Sequence, residues 1–407
     1  MRILLIAHDY PPRIISGLGK YSENLVKELN ARDHDVTLIT GQMPEQEIKE
    51  VIPAKNGHNI SIIRIPLPQG DILDKIIPNF FDKRIFFNNR IKKFFTKNPR
   101  FFNDFDLVHC MDENNSYWLN TISPNIPVVT SINAYYAIST SWNPLRYYDW
   151  NADTIIKYFY YNIMKYRIRN AMTKADLLIA NSVFTKNQVA NNSKISKKKI
   201  LVVYRGIDFS QFKNINIPEN KYENHNILFV GRNMERKGVI YLLKSMPLII
   251  KEFPDTKITI IGMASLAYRR RMHWFIKKNN LQKSVILIPY KDNPELVDYY
   301  LNANVFVMPS LIEGFGQVIV EAMATMTPVI GSNSGGIPEV IKSHGTIINP
   351  KSITQIASAI ISIFKNPSNS FDTAIKAYEY SKRSFDYKIM TDETLKVYGE
   401  VLQCKNT

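Results

Sequence analysis

The chain has 407 residues, 45% hydrophobic and 22% charged, an ordinary globular balance with room for two or three domains and substantial cores. No apolar run is long enough to span a bilayer, and the two cysteines, Cys110 and Cys404, form no spacing motif, which excludes a disulfide framework. With 52 basic and 36 acidic residues the net charge is +16, which favours an anionic partner such as nucleic acid, a membrane surface or a phosphorylated substrate without choosing among them.

In chain order, "RILLIA" (2–7) is the first expected strand. It is too short for a signal peptide, and "HDYPPR" follows where a cleavage site would stand, so a cytoplasmic protein is expected. A loop with two prolines and two glycines leads into a helical stretch, "KYSENLVKELNARD", and then to strands at 35–40, 60–65, 106–110, 127–132 and 175–180. The polar run 208–226 reads as a linker. The pattern then restarts with strands at 226–231, 257–262, 284–289, 304–310 and 328–332, and a helix from about Val239.

Strands recurring after helical segments imply βαβ units and parallel sheets. The expectation is an α/β protein of two Rossmann-like domains, residues 1–205 and 206–384, whose sheets face a central cleft, with a C-terminal helix over about 385–407 folding back on the first domain. Ligands in such sheets bind beyond the carboxyl ends of the strands, so the loops "HDYPPRIISGLG", "CMDENN", "NAYY", "GRNMERKG" and "PSLIEGFG" are the places for chemistry.

In "EGFGQVIVEAMA" (313–324), seven residues separate Glu313 from Glu321, and a Gly-Phe-Gly lies between them. The glycines let backbone approach a ligand, and a helix starting near Gly316 would offer free amides to a phosphate. Glu321 could hold a vicinal diol such as a ribose; the plainer reading is one helix-start acid and one solvated acid. In "FVGRNMERKG", Arg232 and Lys237 follow a strand and could clamp a diphosphate, or form a solvated basic loop.

Together these motifs resemble the nucleotide-sugar-dependent glycosyltransferases of family 4, retaining enzymes of the GT-B fold. Matching pieces run across most of the chain, from "ILLIAHDYPPRIISGLGKYSENLVKELNARDHDVTLIT" through "KADLLIANSVFTK" and "VVYRGIDFSQF" to "PSLIEGFGQVIVEAMATMTPVIGSNSGGIPEVI". The resemblance implies transfer of a hexose-type sugar from a UDP- or GDP-sugar to a lipid-linked, polysaccharide or other glycan acceptor, without a cofactor or metal. It matches Arg232 and Lys237 to the pair on the donor diphosphate, Glu321 to the ribose hydroxyls and Glu313 to the donor sugar. Gly314, Phe315 and Gly316 match the loop whose amides face sugar and phosphate. Gln317, Val318 and Ile319 would line the phosphate and ribose side, and Gly17 matches a glycine that lets the first domain approach the phosphates.

The chain departs from the family on the acceptor side. "VHCMDE" carries His109 but has Met111 where the active-site histidine usually stands, with Asp112 beside it, and Asn133 occupies another position where histidine is common. His109 and Met111 share a strand face by the period of two, so His109 either substitutes or is a packed strand-end residue. Thr327 and Tyr290 replace usual glycines. A catalytically weakened member that binds nucleotide sugar as a partner subunit is the alternative these departures motivate. "DFD" (104–106) introduces a strand, so Asp104 and Asp106 read as turn and strand-start residues rather than metal ligands.

Residues 80–100 mix Phe80, Phe87, Ile91 and Phe94 with Lys83, Arg84, Arg90, Lys92, Lys93 and Lys97 at near-helical spacing. Two readings stand: a basic amphipathic surface on anionic lipid at the inner face of the membrane, or a core-facing helix with a solvated rim. Tyr158, Phe159, Tyr160, Tyr161, Lys165, Tyr166, Arg167 and Arg169 carry the same ambiguity. No motif supports nucleic-acid binding.

Overall fold

The computed structural model describes residues 1–12, 17–41, 49–53, 58–67, 83–133, 166–212, 218, 221–232, 235–289, 291 and 293–406. The chain divides into two compact units, the first holding the described residues up to 133, 166–206 and 387 onward, the second those from 207 to 386.

In the first unit, β1 (Arg2–Ala7) leads through α1 (Gly17–Ala31) to β2 (Asp35–Gly41), β3 (Lys49–Ile52) and β4 (Ile60–Ile65). Helix α2 (Lys83–Lys97), β5 (Leu107–Cys110), β6 (Val128–Ile132), β7 (Leu177–Ala180), α3 (Val183–Asn192) and β8 (Ile200–Val202) follow. The strands form one sheet in the order β3-β4-β2-β1-β5-β6-β7-β8, parallel except where β3 runs against β4.

The unbroken apolar run of β1 has a physical reason: its alternate residues feed two cores. Leu4 and Ile6 join Phe87, Ile91 and Phe95 of α2 on one face. Ile3 and Leu5 join Leu25 and Leu29 of α1 on the other. A parallel strand covered on both faces has no polar side to show.

The α2 contacts decide one of the sequence ambiguities. Phe87 and Ile91 are fully buried and Phe94 is packed against the same core, so this apolar stripe faces inward and Lys92, Lys93 and Lys97 form its solvent rim. For these positions the packing is that of the core-facing helix with a solvated rim. Phe80, Tyr290 and the stretch 158–165 lie outside the described residues, and Tyr166 is exposed.

The second unit contains β9 (Asn226–Val230), α4 (Val239–Glu252), β10 (Lys257–Ile261), α5 (Leu266–Lys278), β11 (Val285–Ile288), α6 (Asn293–Leu301) and β12 (Val305–Met308). It continues with α7 (Gln317–Ala324), β13 (Val329–Ser332), α8 (Ile337–Ile341), β14 (Thr346–Ile348), α9 (Ile353–Lys365) and α10 (Pro367–Phe385). Helix α11 (Tyr387–Asn406) belongs to the first unit, where Met390, Tyr398 and Val401 enter the core beside α1.

The second sheet is wholly parallel, in the order β11-β10-β9-β12-β13-β14. The strand order therefore reverses between β9 and β12. At such a switch point the connections leave toward opposite faces and open a crevice at the carboxyl edge. The loops that emerge there are "GRNMERKG" and "PSLIEGFG". In the first sheet the order likewise reverses between β1 and β5, whose following loops begin at His8 and Met111.

Candidate functional site

At the switch point of the second unit the two loops are stitched together. Leu311 donates its amide to the carbonyl of Arg236 at 2.8 Å. The Arg236 guanidinium reaches back, donating to the Ile312 carbonyl at 2.6 Å and to Glu313 Oε2 at 3.2 Å. Lys237 Nζ lies 3.4 Å from the same carboxylate oxygen. Burial opposes the charge on Glu313, but Lys237 and Arg236 outweigh it and hold the carboxyl below the usual glutamate range. Arg232, partly buried, stands at the head of the same loop.

The backbone of Glu313 is fixed from behind. Its carbonyl accepts from the Gly336 amide at 2.9 Å, and Gly335, at φ +65°, lies so close that a Cβ there would sit 1.8 Å from that oxygen. Only glycine meets both demands. Phe315 is buried with its ring edge-on to Phe385, 5.4 Å between centroids, so its side chain anchors the loop.

Gly316 caps α7 with a left-handed φ of 93°, turning the chain directly into the helix. The first amides of any helix lack intrahelical acceptors and carry partial positive charge, which suits an anion. Gln317 and Val318 are partly exposed at this end, whereas Ile319 is fully buried and its amide already donates to the Gly316 carbonyl at 2.8 Å.

Glu321, one turn further on, is 9% exposed. Its Oε2 accepts from the Tyr300 hydroxyl at 2.9 Å and its Oε1 from Gln317 Nε2 at 3.4 Å. Burial and the Glu321 charge both push the Tyr300 phenol well up, so Tyr300 keeps its proton and acts as a donor. Beneath this pair lies Lys221, buried, its ammonium donating to the carbonyls of Tyr300 (3.2 Å) and Thr325 (3.0 Å) and to Thr327 Oγ1 (2.9 Å). Thr327 in turn donates to the Tyr300 carbonyl at 2.8 Å. The threonine in place of the family's glycine thus belongs to a buried network that joins the ends of α6 and α7.

On the first unit, His109 is fully buried, with Nδ1 2.7 Å from the Tyr398 hydroxyl and Nε2 2.8 Å from Ser131 Oγ. Burial, aided by the nearby Arg205 cation, pushes its imidazole down to about 3. Both ring nitrogens are engaged inside the core. That is the packed strand-end alternative, and it leaves His109 without a free ring nitrogen to take a proton from an acceptor.

Met111 is fully buried, and its carbonyl accepts from Asn133 Nδ2 at 2.9 Å. The Asn133 amide donates to Glu113 Oε2 at 2.9 Å, and Asp112 caps the short helical turn that follows by accepting from the Asn114 amide at 2.9 Å. Met111, Asp112 and Asn133 are therefore brought together, with the buried Glu113 as a fourth member. Gly17 opens α1 and is exposed. Asp106 accepts from the Arg2 amide at 2.8 Å, a strand-start role.

Arg236, Tyr300, Lys221 and Glu113 were not singled out from the sequence. Arg236 had a signal, a second cation beside Lys237; Lys221 sat in a stretch read as linker, and its burial has no local signature.

Two parallel-sheet units with reversal-point crevices are the architecture of GT-B glycosyltransferases, and solved structures agree. Sucrose-phosphate synthase of Thermosynechococcus elongatus superposes with a TM-score of 0.78 at 20% identity, covering 99% of this chain and 100% of that one. The Anabaena protein HepE, solved with UDP and glucose, gives 0.72 at 17% identity, covering 98% and 99%. The family model of glycosyltransferase family 4 matches residues 15–211, and that of glycosyl transferases group 1 matches residues 210–383. A glycogen synthase of Mycobacterium tuberculosis is 24% identical over 98% of this chain and 94% of its own length. The chain belongs to the family 4 glycosyltransferases of the GT-B fold.

Proposed function

We propose that the protein is a retaining, metal-independent hexosyltransferase that takes a UDP- or GDP-sugar as donor and a lipid-linked, polysaccharide or other glycan as acceptor, in cell-envelope or glycoconjugate synthesis. On this reading it works at the inner face of the membrane without crossing it; among the described residues no helix is long and apolar enough to cross one. The observation that carries the donor part is the Glu313 carboxylate fixed by Arg236 and Lys237 at the switch point, one helix start away from Glu321 on Tyr300. HepE, whose structure holds UDP and glucose, supports a nucleotide-sugar donor.

In this mechanism Glu321 accepts two hydrogen bonds from the ribose, and Glu313 orients the donor sugar. Arg232, Lys237 and the first amides of α7 stabilise the charge that grows on the diphosphate as the glycosidic bond breaks. The reaction is a same-face substitution through an oxocarbenium-like state, and the leaving phosphate takes the acceptor's proton. It requires no carboxylate nucleophile, unlike a double-displacement glycosidase.

A second reading, a weakened member that binds nucleotide sugar as a partner subunit, is favoured by one observation: Met111 and His109 are both buried in the core, so neither supplies an acceptor-side base. Purified protein incubated with UDP-, GDP- and ADP-sugars distinguishes the two. Nucleotide release or glycan transfer that Glu313→Ala and Lys237→Ala abolish supports the enzyme. Saturable nucleotide-sugar binding without turnover across donors and acceptors supports the binding subunit.

A further inference from the structure

Burial of the α2 stripe leaves the membrane part of the proposed function without a surface, and a different helix supplies one. Helix α5 forms because Ser265 caps it, accepting from the Tyr268 amide, and because Tyr268, Met272 and Ile276 recur every fourth residue and bury in the core beside α4. Phe275 of the same helix packs against this core as well. The outward side carries a second stripe at the same spacing, Leu266, Arg270 and Trp274, which no core contact explains.

Leu266 is 58% exposed and Trp274 61%, and Met263, just before the helix, is 50% exposed. Single exposed apolar residues are ordinary, but three large ones at one short element are not. Around them lie Arg269, Arg270, Arg271, Lys277 and Lys278, all exposed, and the thirteen residues of α5 include no acid. Lys278 Nζ sits 4.7 Å from the centre of the Trp274 ring, joining the apolar and cationic parts of the face.

We propose that the outer face of α5 docks the protein on an anionic lipid bilayer, with Leu266 and Trp274 entering the headgroup boundary and the arginines and lysines pairing lipid phosphates. The chemistry selects this partner over a second copy of the chain, because two such faces would set like charges against each other. Tryptophan and cationic side chains together are what an interfacial helix presents to anionic lipid. The placement also serves the reaction. Met263 and Leu266 follow directly on the carboxyl end of β10, the edge of the sheet from which the Glu313 loop emerges.

The inference rests on the peripheral-membrane part of the proposed function, and its test separates the two. The full chain is centrifuged with phosphatidylcholine vesicles with and without phosphatidylglycerol. Three further proteins are compared: Leu266→Ser/Trp274→Ser, Arg269→Glu/Arg270→Glu/Lys277→Glu, and a control of equal charge change, Lys92→Glu/Lys93→Glu/Lys97→Glu on α2. The expected result is binding of the unmodified chain to phosphatidylglycerol vesicles, weakened roughly tenfold or more by either α5 variant. The α2 control should weaken it clearly less. Equal weakening by the α2 control, or undiminished binding of both α5 variants, overturns the assignment to α5 while leaving membrane association standing. No binding by the unmodified chain, or binding only to a single-stranded RNA offered in parallel, overturns both.

Discussion

Arg236 donates to the Ile312 carbonyl and to the Glu313 carboxylate, two groups on adjacent residues, from one guanidinium nitrogen. A side chain that grips both the backbone and the carboxylate of a loop sets where that carboxylate points. Among the described residues, Arg236→Met leaves the Glu313 carboxylate to Lys237. Steady-state kinetics with the accepted donor should show transfer reduced about 10- to 100-fold, an expectation that follows from misplacing a positioned group by a fraction of an ångström. Arg236→Lys should recover only part of the loss, since an ammonium on a flexible stem does not reproduce a planar guanidinium.

Tyr300→Phe tests the other grip. It removes the hydroxyl that donates to Glu321 Oε2 and keeps the Gln317 contact on Oε1. Losing one hydrogen bond to a charged group costs about 1.5–3 kcal/mol, which is roughly a 10- to 150-fold change in an equilibrium constant. If Glu321 holds the ribose, calorimetry with a nucleoside diphosphate should show weakened binding of that order. Unchanged affinity would mean that Tyr300 only fills space.

How much of this was readable beforehand follows from where the information lies. The strands Arg2–Ala7, Asp35–Gly41 and Ile60–Ile65 were visible because buried parallel strands are apolar throughout. Strands β3, β8 and β14 were not, being three or four residues long with mixed exposure. The pairing of Arg236 with Glu313 spans 77 positions and is created by strand order, which no local pattern encodes. The α2 and α5 stretches make the same point from the other side. Both mix aromatic and basic residues at helical spacing, and only packing decides that Phe87 turns inward and Trp274 outward.

Lys221 predicts a pH dependence of stability. Burial pushes its ammonium from 10.5 down to about 7, while the unfolded chain keeps the proton to the higher value. Between these limits the unfolded state binds more protons, so stability should rise with pH from about 7 toward 10.5, by at most ~1.4 kcal/mol per pH unit. Below about 7 both states are protonated and this slope vanishes. Urea unfolding of Lys221→Met across that range should lack the rise. The variant should also be less stable at high pH, because the Tyr300 and Thr325 carbonyls and the Thr327 hydroxyl lose their shared donor.

His109 gives the same logic an opposite window. Its imidazole is pushed from 6.5 down to about 3, so it is neutral in the folded protein throughout the range where enzymes of this kind are assayed. The unfolded chain takes up a proton below 6.5 that the folded chain refuses until about 3, and stability should fall as pH drops between them, by at most ~1.4 kcal/mol per unit. Above 6.5 neither state carries the proton and the histidine contributes no slope. His109→Gln keeps hydrogen-bonding capacity toward Tyr398 and Ser131 but cannot titrate, so its acid unfolding should be less steep. A catalytic histidine would leave a different trace. The substitution would then remove a limb from the pH–rate profile between 5 and 8, whereas a packed one leaves the shape of that profile intact and changes only the pH at which the protein unfolds.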